Sequence, residues 1–266
     1  MKKCDLHIHT IATPSDATFT FSLDVLANYV RKMQLDVISI TNHNVFDVSQ
    51  YNEIKDRLAD IIVLPGIEVN LAGGHILVIG DSNDGSVCDF NIKCEQIHNL
   101  IPDEKTNITF EQFHGIFTQL SKYVLIPHYD KSPRLNTDVI RKFDRDILAG
   151  EVTSVKKFIY MQKEETEHLT PVCFSDMRIK DNLSEDMYST NHTYLDIDQV
   201  NVHSLRHCLM DKNKVTLSKE NGNSLFQVFA NGQMLSTGLN IMYGKRSSGK
   251  SFTLNRIAER YGDKAK

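Results

Sequence analysis

Asp5-Leu6-His7-Ile8-His9-Thr10 places two imidazoles two residues apart near the start of a 266-residue chain. Alternate side chains of an extended strand share a face, so His7 and His9 project together from one end of it. Two imidazoles on one face can hold a single metal ion. Related events recur along the chain: Thr41-Asn42-His43-Asn44 follows the apolar run Val37–Ile40, and Pro65-Gly66-Ile67-Glu68 follows Ile61–Leu64. Gly74-His75, Ile126-Pro127-His128 and Phe174-Ser175-Asp176 also set a histidine or an acid at the boundary of an apolar run. For any one of these residues a cap or a hydrogen-bonded core role is the ordinary explanation. So many in succession point instead to residues gathered at one mouth of an α/β barrel, where active sites form. Mixed imidazole and carboxylate donors suit Zn2+, Mn2+ or Fe better than Ca2+ or Mg2+. Two such ions about 3.5–4 Å apart can activate a water and stabilise the leaving oxygen of a phosphoester.

A second chemistry-bearing segment lies near the C-terminus. Gly244-Lys245-Arg246-Ser247-Ser248-Gly249-Lys250-Ser251 fits the G-x-x-x-x-G-K-[ST] phosphate loop in full, with Leu239–Tyr243 expected as the strand before it and Phe252–Arg260 as the helix after it. In such a loop the backbone N–H groups around Gly244, Ser247, Ser248 and Gly249 cradle phosphates at a helix N-terminus. Lys250 reaches the β and γ oxygens of ATP, and Ser251 binds its Mg2+. Only fifteen residues follow Ser251, so the expectation is the opening of an ATPase domain rather than a complete one.

The elements that must position these groups are short apolar runs alternating with amphipathic segments. Strands are expected at Lys3–Ile8, Asp36–Thr41, Ile61–Leu64, His75–Ile79, Val124–Pro127 and Pro171–Phe174. Helices are expected at Ser22–Gln34, Val48–Leu58, Phe110–Lys122 and Ser154–Thr166. Asp81–Ser86 and Lys180–Thr190 read as loops, and Lys219–Ser224 as a linker. Regular alternation argues for an α/β fold with a largely parallel sheet.

Composition sets the background. With 41% hydrophobic and 24% charged residues the chain is an ordinary globular one, and its length allows a barrel-sized core. A net charge of −4 gives no global basic signal for nucleic acid. Cys4, Cys88, Cys94, Cys173 and Cys208 are scattered without a CxxC pair, as expected of free thiols in a reducing compartment. The N-terminus runs at once into charge and histidine, unlike a signal peptide. No apolar run approaches the roughly 18–20 residues of a membrane helix. A cytoplasmic protein without membrane contact is expected.

In its histidine and acid motifs, taken in order over residues 1–215, the chain resembles the PHP (polymerase and histidinol phosphatase) superfamily. The resemblance implies a distorted (β/α)7 barrel with up to three metals that hydrolyse phosphoesters. It implies that His7, His9, Glu68 and Asp176 bind a first metal, and that Glu68, as a bridge, binds a second with His75 and His128. Asp16, from Ser15-Asp16-Ala17, and His43 would serve a third. The sequence departs from the family pattern twice. Ser175-Asp176-Met177-Arg178 stands where Ser-Asp-x-His is usual, and Thr41-Asn42-His43 where Thr-Asp-His is usual. A guanidinium stays protonated and cannot ligate a metal, so Arg178 is expected to offer fixed charge to a phosphate oxygen, alongside two metal ions with the third site in question. Asp16, His43 and Arg178 are thus the candidate catalytic groups.

With the phosphate loop, the chain further resembles the PHP branch fused to ABC/SMC-like ATPase domains, which is linked to nucleic-acid processing and phage defence. Thr193 through Leu209 to Val215 looks like the segment that closes the PHP domain in such fusions. The expected organisation is a phosphoesterase domain at 1–218 and the first strand, loop and helix of an incomplete P-loop ATPase domain at 219–266. The expected activity is hydrolysis of nucleic-acid phosphodiesters, coupled to ATP, with the rest of an ATPase domain as partner and self-association left open. The alternatives are a small-molecule phosphomonoesterase, or a non-catalytic metal-stabilised module that regulates the ATPase. His203 and His207, four apart on a helix, lack the glutamate of HExxH and are expected at the surface. His98, His114, His168 and His192 are expected as ordinary polar residues. Lys105, Lys122, Lys131, Arg134, Arg141 and Lys142 could give the mouth a basic rim, but a solvated face is the expected account.

Overall fold

A computed structural model of the chain describes residues 1–103, 105–163 and 169–261. His168, and the end of the helix expected at Ser154–Thr166, lie outside them. The strands are β1 (Lys2–His9), β2 (Val37–Ile40), β3 (Ile62–Leu71), β4 (Gly74–Ile79), β5 (Val124–Asp130), β6 (Ala149–Val152), β7 (Thr170–Val172), β8 (Met177–Arg178), β9 (Thr193–Leu195), β10 (Val215–Thr216), β11 (Leu225–Gln227) and β12 (Met234–Ser236). The helices are α1 (Leu23–Met33), α2 (Val48–Arg57), α3 (Asp84–Leu100), α4 (Phe110–Ile116), α5 (Thr137–Lys142), α6 (Val155–Lys163), α7 (Val202–Leu209) and α8 (Lys250–Tyr261).

The main sheet runs β10-β9-β1-β2-β3-β4-β5-β6-β7, and β8 pairs with β1. Residues 173–176 join β7 to β8, so the sheet curls back on its first strand into a nearly closed barrel. Strands β1, β2 and β3 are mutually parallel, as are β5, β6 and β7. The sheet departs from the expected parallel order at β9, antiparallel to β1 and β10, and within the barrel at β4, antiparallel to both β3 and β5. The cause at β4 is local. Ala72 and Gly73, with φ of 48° and 83°, form the two-residue connection between β3 and β4. Positive φ at both positions gives the turn whose twist matches a hairpin, and leaves no room for a crossover helix.

Strand β3 is longer than expected because it changes partner halfway, pairing with β2 over 62–65 and with β4 over 66–71. The changeover falls at Gly66, where a Cβ would lie 2.4 Å from Ser39 Oγ and 2.9 Å from the Ile40 carbonyl oxygen. Only glycine admits that approach, and it puts Glu68 inside the strand rather than in the loop after it.

Helix α1 follows its pattern: Leu26, Ala27, Val30 and Met33 are buried, Ser22 caps the N-terminus, and Gln34 ends the helix in the left-handed region. Two readings are corrected. Of the segment expected as a loop at Asp81–Ser86, only Asp81–Asn83 is one; Asp84–Ser86 opens α3, capped by Asn83 and buried through Val87, Phe90, Cys94 and Ile97. Leu239–Tyr243 is not a strand; among the described residues no neighbouring strand accepts its ladder hydrogen bonds, and Leu239, Ile241 and Tyr243 are exposed. The hairpin β11–β12 precedes it, and Phe226 and Ala230 pack against the barrel core. Among the described residues no helix is long and apolar enough to cross a membrane.

Candidate metal centre

The centre is built around Glu68, buried within β3 and read by histidines from several strands. Its Oε2 lies 3.0 Å from His7 Nε2 and 3.3 Å from His9 Nε2, both on β1, and 3.1 Å from His43 Nδ1. Its Oε1 lies 2.7 Å from His75 Nδ1 at the start of β4 and 3.1 Å from His128 Nε2 on β5. Asp176, between β7 and β8, completes the inner shell, with Oδ1 3.1 Å from His9 Nε2 and 3.4 Å from His7 Nε2. The backbone of Asp176 is in the left-handed region, φ 51°, a conformation that short polar side chains tolerate and that is found at sites where a side chain must be aimed.

His43 is pinned by its neighbours. Glu68 N–H donates to the Asn42 carbonyl and Asn44 N–H to the Glu68 carbonyl. Asn42, standing where the family pattern has an acid, turns away from the centre: its Oδ1 accepts from the N–H groups of Thr10 and Ile11, at 2.6 and 2.9 Å. The change from acid to amide there supports a loop and removes no ligand.

The packing of these atoms fits a set of groups that could share a metal ion. The separations among His7, His9, Glu68 and Asp176 run from 3.0 to 3.4 Å, including 3.0 Å between the Nε2 atoms of His7 and His9. A tetrahedral ion with bonds of about 2.0–2.2 Å sets ligand-to-ligand edges at roughly 3.3–3.6 Å. Nor are the rings satisfied by one another. Both ring nitrogens of His128, and Nδ1 of His9 and of His43, are buried with no hydrogen-bond partner among the described residues. Unpaired buried imidazole nitrogens converging on shared carboxylate oxygens fit a divalent cation. Four groups have ligand atoms all within 4.8 Å of one another: His7–His9–Glu68–Asp176, His43–Glu68–His75, His7–His128–Glu151 and His9–Asp16–His43.

The electrostatics support the same use. Burial works against the Glu68 carboxylate, but His7, His128 and His75 outweigh it and hold its pKa well below the ordinary value. Burial likewise opposes ionisation of Asp176, and His7, His9 and Lys131 overcome it. His43 is driven down to about 3, chiefly by burial, and so is neutral and able to ligate. His7 is different. Burial disfavours its imidazolium, yet Glu151, with Glu68 and Asp176, outweighs burial and pushes the pKa up to about 10 in the metal-free protein. A proton on His7 below pH 10 must leave when Nε2 takes a metal. Metal affinity should therefore rise with pH, by about tenfold per unit between pH 7 and 9, with a proton released per ion at this position. Titration calorimetry in buffers of different ionisation enthalpy measures both; a flat affinity over that range would contradict the assignment.

At the rim of the centre, Arg178 Nε donates to Asp16 Oδ1 at 2.7 Å, Nη1 donates to Asp176, and Nη2 lies 3.2 Å from His43 Nε2. The three candidate catalytic groups are thus one cluster, with the guanidinium standing among His43, Asp16 and Asp176 and still a third exposed.

Two residues of the centre were not singled out in the sequence. Glu151, on the short strand β6, accepts from His7 Nδ1 at 2.8 Å. Lys131, expected on a solvated face, is largely withdrawn from solvent instead: its ammonium donates to Glu151 Oε1 at 2.9 Å and to Asp176 Oδ2 at 3.0 Å. Two acids beside its alkyl chain draw the lysine inward, where a solvated lysine has no such partners. Arg141 and Lys142 do pair at the surface, with Asp138 and Glu111. His98 donates from Nδ1 to the Asn44 carbonyl at 3.2 Å, and His192 is buried against Tyr29 Oη at 2.8 Å. The rings of His203 and His207 meet at 4.4 Å on α7, with no third ligand grouped with them among the described residues.

The phosphate-loop residues lie outside this centre. Gly244, Ser247, Ser248 and Gly249 form an exposed turn leading into α8, with Ser247 and Gly249 at φ 63° and 83°. The Lys250 ammonium folds back to donate to the Gly244 and Lys245 carbonyls at 2.9 and 2.6 Å, and Ser251 sits in the first turn of α8.

No family model matches the sequence, and no curated protein matches it. Solved structures do. A two-domain protein from Bacteroides vulgatus containing a predicted PHP-like metal-dependent phosphoesterase aligns with 80% of this chain at a TM-score of 0.51 and 15% identity. The alignment takes in 63% of that protein's length. A protein from Bifidobacterium adolescentis, provisionally assigned as a metal-dependent phosphoesterase, aligns with 77% of this chain and 95% of its own at 14% identity and a TM-score of 0.42, too low to carry an argument. At such identities the likeness is one of fold: the main sheet and its helices form a nearly closed α/β barrel, consistent with the PHP-like kind.

Proposed function

We propose that this chain is a metal-dependent phosphoesterase, and that its centre holds two divalent ions, Mn2+ or Zn2+, bridged by Glu68. The observation that carries the reading is the convergence of five imidazoles on the two oxygens of one buried carboxylate. The first ion would be held by His7, His9, Glu68 and Asp176, and the second by Glu68 with His75, His128 and the nearby His43. Bound ions supply an activated water and charge stabilisation of the leaving oxygen. Hydrolysis there would form a P–O bond from water to phosphorus and break the ester P–O bond, the alcohol leaving with a proton.

The chain's own contribution is fixed charge and exclusion of solvent. Asp16 and Asp176 hold Arg178 by its Nε and Nη1, so its guanidinium is set before substrate arrives. A phosphate oxygen beside the ions would take one of its N–H groups, a charge-assisted contact. Arg178→Ala should lower kcat/KM by roughly ten- to a hundredfold, the loss of about 1.5–3 kcal/mol. Metal content should stay that of the parent, because the deletion leaves Asp16 as one uncommitted ligand. Arg178→His, which supplies a nitrogen beside Asp16, should raise metal content. Elemental analysis paired with kinetics checks all three; unchanged kinetics in Arg178→Ala would leave the guanidinium a bystander.

For substrate we propose a nucleic-acid phosphodiester, on the strength of the phosphate loop carried by the same chain. On this reading Gly244–Ser251 binds ATP with Mg2+ and couples it to the barrel. One observation favours a second reading, a phosphomonoesterase. Lys131 and Arg178 are two fixed cations on one carboxylate, and a monoester dianion needs more neutralisation than a diester. Assays on DNA, RNA and small phosphomonoesters with Mn2+, Zn2+ and Mg2+ separate the two. Tight metal binding without turnover on any of them would indicate a metal-stabilised module instead.

A further inference from the structure

The His7–His128–Glu151 group invites reading as another metal position, since its three ligand atoms lie within 4.8 Å of one another. Its geometry argues otherwise. His7 Nε2 already faces Glu68, His9 and Asp176 at 3.0 to 3.4 Å, so the ring is committed to the inner ion through that nitrogen. A single imidazole that gave Nε2 to one ion and Nδ1 to another would have to lose both ring protons, which a neutral-pH site does not ordinarily achieve. With Nε2 on the metal side, Nδ1 carries the proton, and Glu151 Oε2 stands 2.8 Å away as its acceptor. The other oxygen of Glu151 is taken by the Lys131 ammonium at 2.9 Å, which also holds Asp176 Oδ2 at 3.0 Å and lies 3.0 Å from His7 Nδ1. An ion placed in this group would sit against that ammonium. Glu151 and His7 are both fully buried, so the acceptor has no competition from water.

We propose that Glu151, anchored by Lys131, is the positioning residue of His7: it accepts the Nδ1 proton, fixes the ring with Nε2 toward the centre, and is not itself a metal ligand. A carboxylate in this role fixes the tautomer, orients the ring and raises its basicity as a ligand. Lys131, directly after β5, ties the neighbouring strands β6 and β7 to the same point, since Glu151 lies on β6 and Asp176 follows β7. The inference rests on the centre holding metal.

The test uses the zinc-loaded chain with 15N-labelled histidine. Long-range proton–nitrogen correlation should show His7 protonated at Nδ1 and metal-bound at Nε2. Glu151→Ala should lose the protected Nδ1 proton and weaken zinc binding by about tenfold to a hundredfold, while the number of ions bound at saturation stays that of the parent. Glu151→Gln, which keeps an acceptor oxygen, should recover most of that affinity. Loss of one bound ion in both Glu151 variants, or His7 bound to metal through Nδ1 in the parent, would overturn the proposal. Should the alanine variant fail to fold, the parent spectrum and the glutamine variant decide alone. A parent that binds no zinc overturns the proposed function first; a parent that binds zinc normally while the Glu151 variants lose an ion overturns only this inference.

Discussion

Glu68→Gln should abolish phosphoester hydrolysis and strip the centre of at least one metal ion. Both oxygens of this carboxylate are in use, Oε2 among His7, His9 and His43 and Oε1 between His75 and His128. An amide has the same shape but carries no negative charge, and presents an N–H group to one of the two sets. Each proposed ion loses a ligand, and the pair loses its bridge. The expected fall in kcat/KM is at least about a thousandfold, near 4 kcal/mol of transition-state stabilisation. Metal content by elemental analysis should fall with it, which separates loss of the centre from loss of a proton donor. Activity within about tenfold of the parent would show that Glu68 is a buried structural acid.

Removing metal should also destabilise the fold. Without ions, the barrel mouth holds Glu68, Asp176, Glu151 and Asp16 against Lys131, Arg178 and the His7 imidazolium, with unpaired imidazole nitrogens buried between them. Ions that bind only the native state stabilise it by mass action, about 4 kcal/mol for each ion present at a thousandfold excess over its Kd. For a chain of this size roughly 2–4 °C of Tm accompanies each kcal/mol, so removing both ions should lower Tm by roughly 15–30 °C. Re-addition of Mn2+ or Zn2+ should restore it in proportion to the logarithm of concentration. A shift below about 2 °C after complete removal would mean that the centre does not hold its ions tightly.

What the sequence made legible follows from which signals are local. His7 and His9 announce themselves because strand alternation is a two-residue property, and β1 keeps it to its last residue. His43, Glu68, His75, His128 and Asp176 each sit beside an apolar run long enough to recognise, and the structure brings them to one point. Glu151 escaped because β6 is four residues long, and the run that leads to it, Ile147-Leu148-Ala149, is too short to stand out as a strand. Lys131 escaped because a lysine near a loop is ordinarily solvated, and only the folded barrel brings Glu151 and Asp176 to it. The antiparallel course of β4 was hidden in Ala72-Gly73, a turn signal masked by the glycine after it. Helix α3 was legible and missed: Val87, Phe90, Cys94 and Ile97 are spaced at three and four, but the polar Asp81–Ser86 ahead of them drew the loop reading. Leu239–Tyr243 failed for the opposite reason, since its alternating apolar residues describe a strand that needs a partner to become one.

The most direct test of the account is turnover by metal-stripped protein on p-nitrophenyl and bis-p-nitrophenyl phosphate, before and after stoichiometric Mn2+ or Zn2+. The account predicts no turnover when stripped, restoration on adding either ion, and no restoration in Glu68→Gln. Turnover that survives chelation, or that metal restores equally in parent and Glu68→Gln, would contradict it.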